Sequence, residues 1–179
     1  MRGSPGPIVP TPATLFPMLR GRRVIVGVPG LGWRGDLRAD DPVVQGSRTY
    51  VPVLTEQDYY RAETEQVEVF APLVPIDRVW VEHTPENPDM SPARPVVLDA
   101  PLRRDPVPTS EGDTVTGRRM VQAVPDGYVR DLRAVTDVYR GVDGIPYVKV
   151  TGEPEWYRWA LAGSTPTTVE VRADQLWVE

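Results

Sequence analysis

The stretch Gly21-Arg22-Arg23-Val24-Ile25-Val26-Gly27-Val28-Pro29-Gly30-Leu31-Gly32-Trp33-Arg34-Gly35-Asp36-Leu37-Arg38-Ala39 occurs twice in this chain. Its second copy runs Gly117-Arg118-Arg119-Met120-Val121-Gln122-Ala123-Val124-Pro125-Asp126-Gly127-Tyr128-Val129-Arg130-Asp131-Leu132-Arg133-Ala134, with one residue fewer in the turn. Both copies open on Gly-Arg-Arg and close on Asp-Leu-Arg-Ala. The register holds downstream, where Tyr59-Tyr60-Arg61 answers Trp156-Tyr157-Arg158. It still holds where Asp77-Arg78-Val79-Trp80-Val81-Glu82 answers Asp174-Gln175-Leu176-Trp177-Val178-Glu179. A repeat in register at its start, middle and end is a duplicated domain. The 179 residues therefore divide into two small units rather than forming one of medium size.

The residues inside each copy read as short strands. Arg23-Val24-Ile25-Val26-Gly27-Val28 is β-branched and alternating. Asp36-Leu37-Arg38-Ala39 reads as a second strand, with Leu37 inward and Asp36 and Arg38 outward as a surface charge pair. Asp131 and Arg133 repeat that pair. Tyr50–Leu54, Val67–Phe70 and Val79–Val81 follow as further strands, and Pro52 implies an edge or a bulge. In the second copy Asp143-Gly144 between Val138–Arg140 and Tyr147–Val150 is a hairpin signal. Pro75-Ile76-Asp77 and Ala173-Asp174-Gln175 have room for a single 3₁₀ turn. No segment carries a 3.6-residue apolar period over ten positions, so the chain is expected to be all-β. Trp80 and Trp177, in the closing strands, are expected to be buried core anchors.

The segments around the repeats have another character. Residues 1–20 hold five prolines, Pro5, Pro7, Pro10, Pro12 and Pro17, which forbid a continuous helix and favour an extended arm. Residues 83–116 form a proline-rich linker with one apolar island, Pro95-Val96-Val97-Leu98. The expected organisation is an arm over 1–20, domains over 21–82 and 117–179, and a linker over 83–116. Phe16 and Met18 in the arm and Leu98 in the linker supply apolar area for docking on a protein surface.

Composition narrows the chemistry. There is no cysteine, so neither disulfides nor thiolate metal sites stabilise these small cores. A net charge of −5 disfavours a generic nucleic-acid binder. No apolar run is long enough to span a membrane and the first residues lack a signal-peptide core, so the expectation is a soluble, non-secreted protein. His83 is the only histidine and has no repeat counterpart, which leaves no basis for a catalytic triad or a histidine metal site. Asp40-Asp41 and Glu111-Gly112-Asp113 lack the ligand spacing of a calcium loop. Gly30-Leu31-Gly32 lacks the helix of a phosphate loop and reads as a turn. No cofactor and no enzymatic activity are expected.

The aromatic ledge remains. Read as strands, Tyr59-Tyr60-Arg61 and Trp156-Tyr157-Arg158-Trp159 present one aromatic set to the core and the other to solvent. Exposed Trp and Tyr beside Arg are the composition of a protein-contact hot spot. Packing into the core is the competing reading, and stacking on single-stranded bases is disfavoured by the acidic balance.

About five short strands, a long first turn and a 3₁₀ turn before the last strand resemble an SH3-like barrel over residues 21–82 and again over 117–179. The acidic loop and paired aromatics of eukaryotic SH3 domains are not evident, so polyproline recognition is not implied by that resemblance. SH3-like barrels with arms resemble the head-completion, connector and capsid-accessory proteins of tailed phages. The dominance of arginine over lysine (Lys149 is the only lysine) and the abundance of Pro, Val, Gly, Ala and Asp resemble proteins of actinobacteria and their phages. The resemblance implies a non-enzymatic, multi-copy virion protein at the capsid or head–tail connection. Its partners would be portal, capsid or tail subunits; no apolar run implies a membrane, and the acidic balance disfavours nucleic acid. The alternatives are a cytoplasmic SH3-like protein- or peptide-binding module and an enzyme of unknown type.

Overall fold

The computed structural model describes residues 3–86 and 100–179. They form two compact units, Ile8–Arg103, and Arg104–Glu179 together with the N-terminal residues up to Pro7. The first contains β1 (Val9–Pro12), β2 (Arg23–Val28), β3 (Gly32–Ala39), β4 (Val43–Gln45), β5 (Arg48–Thr55), α1 (Glu56–Glu65), β6 (Leu73–Pro75) and β7 (Val79–His83). The second contains β8 (Val107–Pro108), β9 (Arg119–Val124), β10 (Gly127–Ala134), β11 (Tyr139–Arg140), β12 (Pro146–Gly152), α2 (Glu153–Ala162), β13 (Val169–Arg172) and β14 (Leu176–Val178). A 3₁₀ turn precedes the closing strand in each, over Ile76–Arg78 and Ala173–Gln175.

Each unit is a seven-stranded antiparallel sheet. The order is β1-β7-β2-β3-β5-β4 with β6 on β5, and, element for element, β8-β14-β9-β10-β12-β11 with β13 on β12. The duplication read from the sequence is thus a duplication of topology, and the protein is mostly β.

Strand alternation puts one side chain in two on each face. In the first unit Val24, Val26, Leu37, Ala39, Val51, Val53, Val79 and Val81 point to one face and close an apolar core with Ala13 and Leu19. Met120, Ala134, Val148, Val150, Val171 and Leu176 do the same in the second, with Val115. The alternating residues point to the opposite face, where α1 or α2 packs. A bulge interrupts the first hairpin of each unit, with register shifts flanking Val24/Val26 and Val129/Leu132. There Asp36 (φ 55°) and Asp131 (φ 59°) take the left-handed conformation, which aspartate tolerates better than most residues.

Three expectations need correction. The chain is not free of helix: Glu56–Glu65 and Glu153–Ala162 are α-helical, so the aromatics at 59–60 and 156–159 do not alternate across a strand. The helical period was hidden because the buried positions, one turn apart, are Glu56 with Tyr60 and Glu153 with Tyr157. A stripe that opens on a carboxylate has no apolar period to detect. The boundary signals were present, however. The Thr55 side chain caps α1 by accepting from the Asp58 N–H at 3.1 Å. Pro154 lies in the first turn of α2, and Gly163 ends it at φ 70° with its N–H donating to the Trp159 carbonyl.

The second correction concerns the arm and the linker. Residues 9–12 are strand β1, with Val9 opposite His83 and Pro12 opposite Trp80. Ala13 and Leu19 are fully buried. At the other end of the expected linker, Val107–Pro108 pair with β14 and Val115 enters the second core. Prolines at these places cost no ladder bonds because both strands lie at a sheet edge. Each unit therefore begins well before its Gly-Arg-Arg. The third correction is that Arg38 and Arg133 are not surface residues: α1 and α2 bury them to 9% and 7% exposure.

Candidate functional site

The helix-covered face of each sheet holds the polar groups that the duplicated stretch encodes. Arg23 leaves β2, Arg38 leaves the end of β3, and both meet Glu56, the first residue of α1. The Arg23 Nε lies 2.7 Å and the Arg38 Nε 3.3 Å from the same Glu56 Oε1, while Glu82 on β7 stands 3.7 Å from Arg23. Glu56 is completely buried. The Arg38 guanidinium also donates to the Gly21 carbonyl and to the Tyr60 hydroxyl, each at 2.9 Å. The second unit repeats this with Arg133 3.2 Å and Arg119 4.0 Å from the buried Glu153. Arg133 donates to the Gly117 carbonyl at 2.9 Å and to the Tyr157 hydroxyl at 3.0 Å.

This is a buried ionic cluster that fixes the start of each helix to two strands. Its carboxylate is closed to solvent, so it offers no group to a substrate. Gly21 and Gly117 have left-handed φ of 74° and 79°, which turns their carbonyls toward the arginine. A Cβ at Gly21 would lie 3.2 Å from the Tyr59 hydroxyl.

The aromatic ledge wraps these arginines. The Arg38 guanidinium stands 5.7 Å from the ring centroids of both Tyr59 and Tyr60. Arg133 stands 5.1 Å from Trp156 and 5.5 Å from Tyr157. Such distances are those of cation–π contacts. Tyr60 and Tyr157 are buried, and Tyr59 and Trp156 are half-buried. Burial, followed by the nearby Glu63, raises the Tyr59 hydroxyl pKa above its ordinary value. Only Arg61 and Arg158 are exposed, with Trp159 half-buried, so the ledge is mainly internal packing. Of the arm residues, Phe16 packs on the first core with its ring 5.5 Å from His83, whereas Met18 is exposed. Leu98 lies outside the described residues.

A different aromatic pair reaches solvent. Trp80 and Trp177 are buried, as expected, but on the helix-side face rather than in the apolar cores. Each meets the first-hairpin aromatic of its unit edge to face, Trp33 at 6.1 Å and Tyr128 at 6.0 Å between centroids. In the first unit this pair walls a cleft of about 600 Å³, bounded also by Gly27, Gly30, Asp77, Arg78 and Ala100. Trp33 is 42% exposed. Its ring lies against the Gly27 backbone, where a Cβ would come within 3.0 Å. Arg78 holds the floor by donating twice to the Gly27 carbonyl, at 2.9 and 2.7 Å.

Sequence reasoning assigned Trp33 to the long turn and gave it no role. The signal that pointed to it was the match of Trp33 with Tyr128 at one place in the repeat. Among the described residues, no group of three or more His, Cys, Asp or Glu side chains is placed to hold a metal ion, and no helix is long and apolar enough to cross a membrane. Comparison with known proteins finds no matching family model, no matching curated protein and no matching solved structure.

Proposed function

We propose that this is a non-enzymatic assembly protein, built from two SH3-like barrels and acting by binding other protein subunits. The observation that carries the reading is the use of short proline-bearing segments as edge strands, β1 on β7 and β8 on β14. Strand addition at a sheet edge is a common way for one chain to hold another. The buried ionic residues support it from the other side. Both Glu56 and Glu153, the carboxylates nearest the repeat's arginines, serve packing rather than an open site. Together with the arginine-dominated composition, this favours a phage virion component at the capsid or head–tail connection. Portal, capsid or tail proteins would be its partners.

The Trp33 cleft favours a second reading, a cellular SH3-like protein- or peptide-binding module. Purifying the native protein from its source and identifying what accompanies it in fixed stoichiometry separates the two. Virion structural proteins are expected under the first reading, and a single cellular partner under the second. A hydrolytic activity that disappears in His83→Ala would overturn both.

A further inference from the structure

The second unit holds a segment of chain through an arginine that the first unit lacks. Residues 3–7, Gly-Ser-Pro-Gly-Pro, belong to the same compact body as residues 104–179. The Tyr128 hydroxyl donates to the Gly3 carbonyl, and the Arg130 guanidinium donates to the Gly6 carbonyl at 3.0 Å. Arg130 is itself aimed by an ion pair with Glu179, whose side chain is almost fully buried. Pro5 and Pro7 are buried. In the first unit Gly35 stands where the second has Arg130, and Glu82, the counterpart of Glu179, lies beside Arg23 instead. One copy of the repeat has thus acquired a carbonyl-binding arginine, and residues 3–7 are what it binds.

This segment is not a strand of the sheet that holds it. It is joined to the rest of the second unit only through residues 8–103, the whole of the first unit. The second unit therefore meets it as it would meet a segment of another molecule. The same residues in another copy of the chain offer the same two carbonyls and the same two proline rings, so exchange between copies sacrifices no bond. Proline also keeps the entropy lost on docking small in either case. We propose that the Tyr128–Arg130–Glu179 site takes residues 3–7 of a second copy of this chain, linking copies head to tail. Donor and acceptor are different surfaces, so the contact is heterologous and can repeat from copy to copy. Because β1 stays paired with β7 of its own chain, the linked segment is anchored in the donor one residue after Pro7. The inference rests on the assembly reading and names one partner within it, another copy of the same protein.

Sedimentation velocity of the full chain tests this from micromolar to about millimolar concentration, where a free copy competes with a tethered segment. Wild type should pass from monomer to species larger than dimers as concentration rises. Pro5→Ala with Pro7→Ala removes the donor's buried rings, and Tyr128→Phe with Arg130→Gln removes the acceptor's two bonds. Each double variant alone should associate at least ~tenfold more weakly. Mixed in equal amounts, they should form dimers and nothing larger, since one retains only the acceptor and the other only the donor. Excess synthetic peptide of residues 1–7 should return wild type to monomers. The indole N–H signals of the five tryptophans show whether each variant is folded, and if one is not, the peptide competition decides. A wild type that stays monomeric throughout would overturn the proposal. So would association untouched by the peptide, association undiminished in both folded variants, or folded variants that form no dimer when mixed. The assembly reading would survive any of these, because it is tested by what accompanies the native protein.

Discussion

Replacing Glu56 by glutamine keeps the side chain's shape and removes a buried negative charge that both Arg23 and Arg38 contact. Both guanidinium nitrogens lie within 3.3 Å of Glu56 Oε1, and the side chain is fully buried. At an effective dielectric of about 20, each such contact corresponds to roughly 4 kcal/mol of attraction. Desolvation of the three groups offsets much of that in the wild type. The variant keeps the desolvation and loses the attraction, which for a buried pair stripped of one partner costs about 3–5 kcal/mol. Small domains hold about 5–15 kcal/mol in all, so about a fifth or more of the first unit's stability should go. With a urea slope of about 2 kcal/mol/M, its midpoint should fall by ~2 M. Urea titration followed by the tryptophan indole N–H signals resolves the units, with Trp33 and Trp80 reporting the first and Trp156, Trp159 and Trp177 the second. The fall should be confined to the first pair. Glu65→Gln, which removes only the exposed partner of Arg61, should change little. Replacing Arg23, Arg38 and Glu56 together by apolar residues of similar volume should recover much of the loss. A Glu56→Gln midpoint within about 0.5 M of wild type would refute the view that this cluster holds the helix to the sheet.

Three further outcomes follow from the same coordinates. Trp177→Ala should destabilise the second unit by about 3–5 kcal/mol, because a buried indole and its contact with Tyr128 are lost together; an unchanged melting temperature would show otherwise. Deleting residues 1–20 should unfold the first unit, since β1, Ala13 and Leu19 go with it, whereas deleting 1–7 should leave that unit's amide exchange protection intact. Asp137 accepts from the Thr116 hydroxyl and from the Thr116 and Val115 N–H groups, and these bonds hold its pKa below the usual aspartate value of 3.8. A depressed folded pKa means that the stabilisation is complete above the unfolded value and is lost as pH falls through the folded one. Wild type and Asp137→Asn should therefore differ in melting temperature at pH 6 and approach each other as pH falls from 3.8 through the lower folded pKa; a difference that stays constant through this range would refute the assignment.

The duplication, the strand alternation and the 3₁₀ turn before each closing strand were legible because each depends on local spacing alone. Val24, Val26, Val79 and Val81 face the core for the same reason that they alternate in the sequence. The helices were not legible, because their buried face opens on Glu56 and Glu153, charges that become internal only when arginines from two other strands arrive to neutralise them. Arg38 and Arg133 were misread for the same reason. A strand end looks solvated until a helix covers its second face, and which face is covered depends on residues far along the chain. The arm was misread because proline density speaks for an extended backbone but not for what it pairs with, and it was the free edge of β7 that made residues 9–12 a strand. Trp80 and Trp177 could be recognised as buried by their size and place. That they lie on the helix-side face, against Trp33 and Tyr128, and that one pair lines a cleft, depended on the sheet bringing the first hairpin beside the last strand.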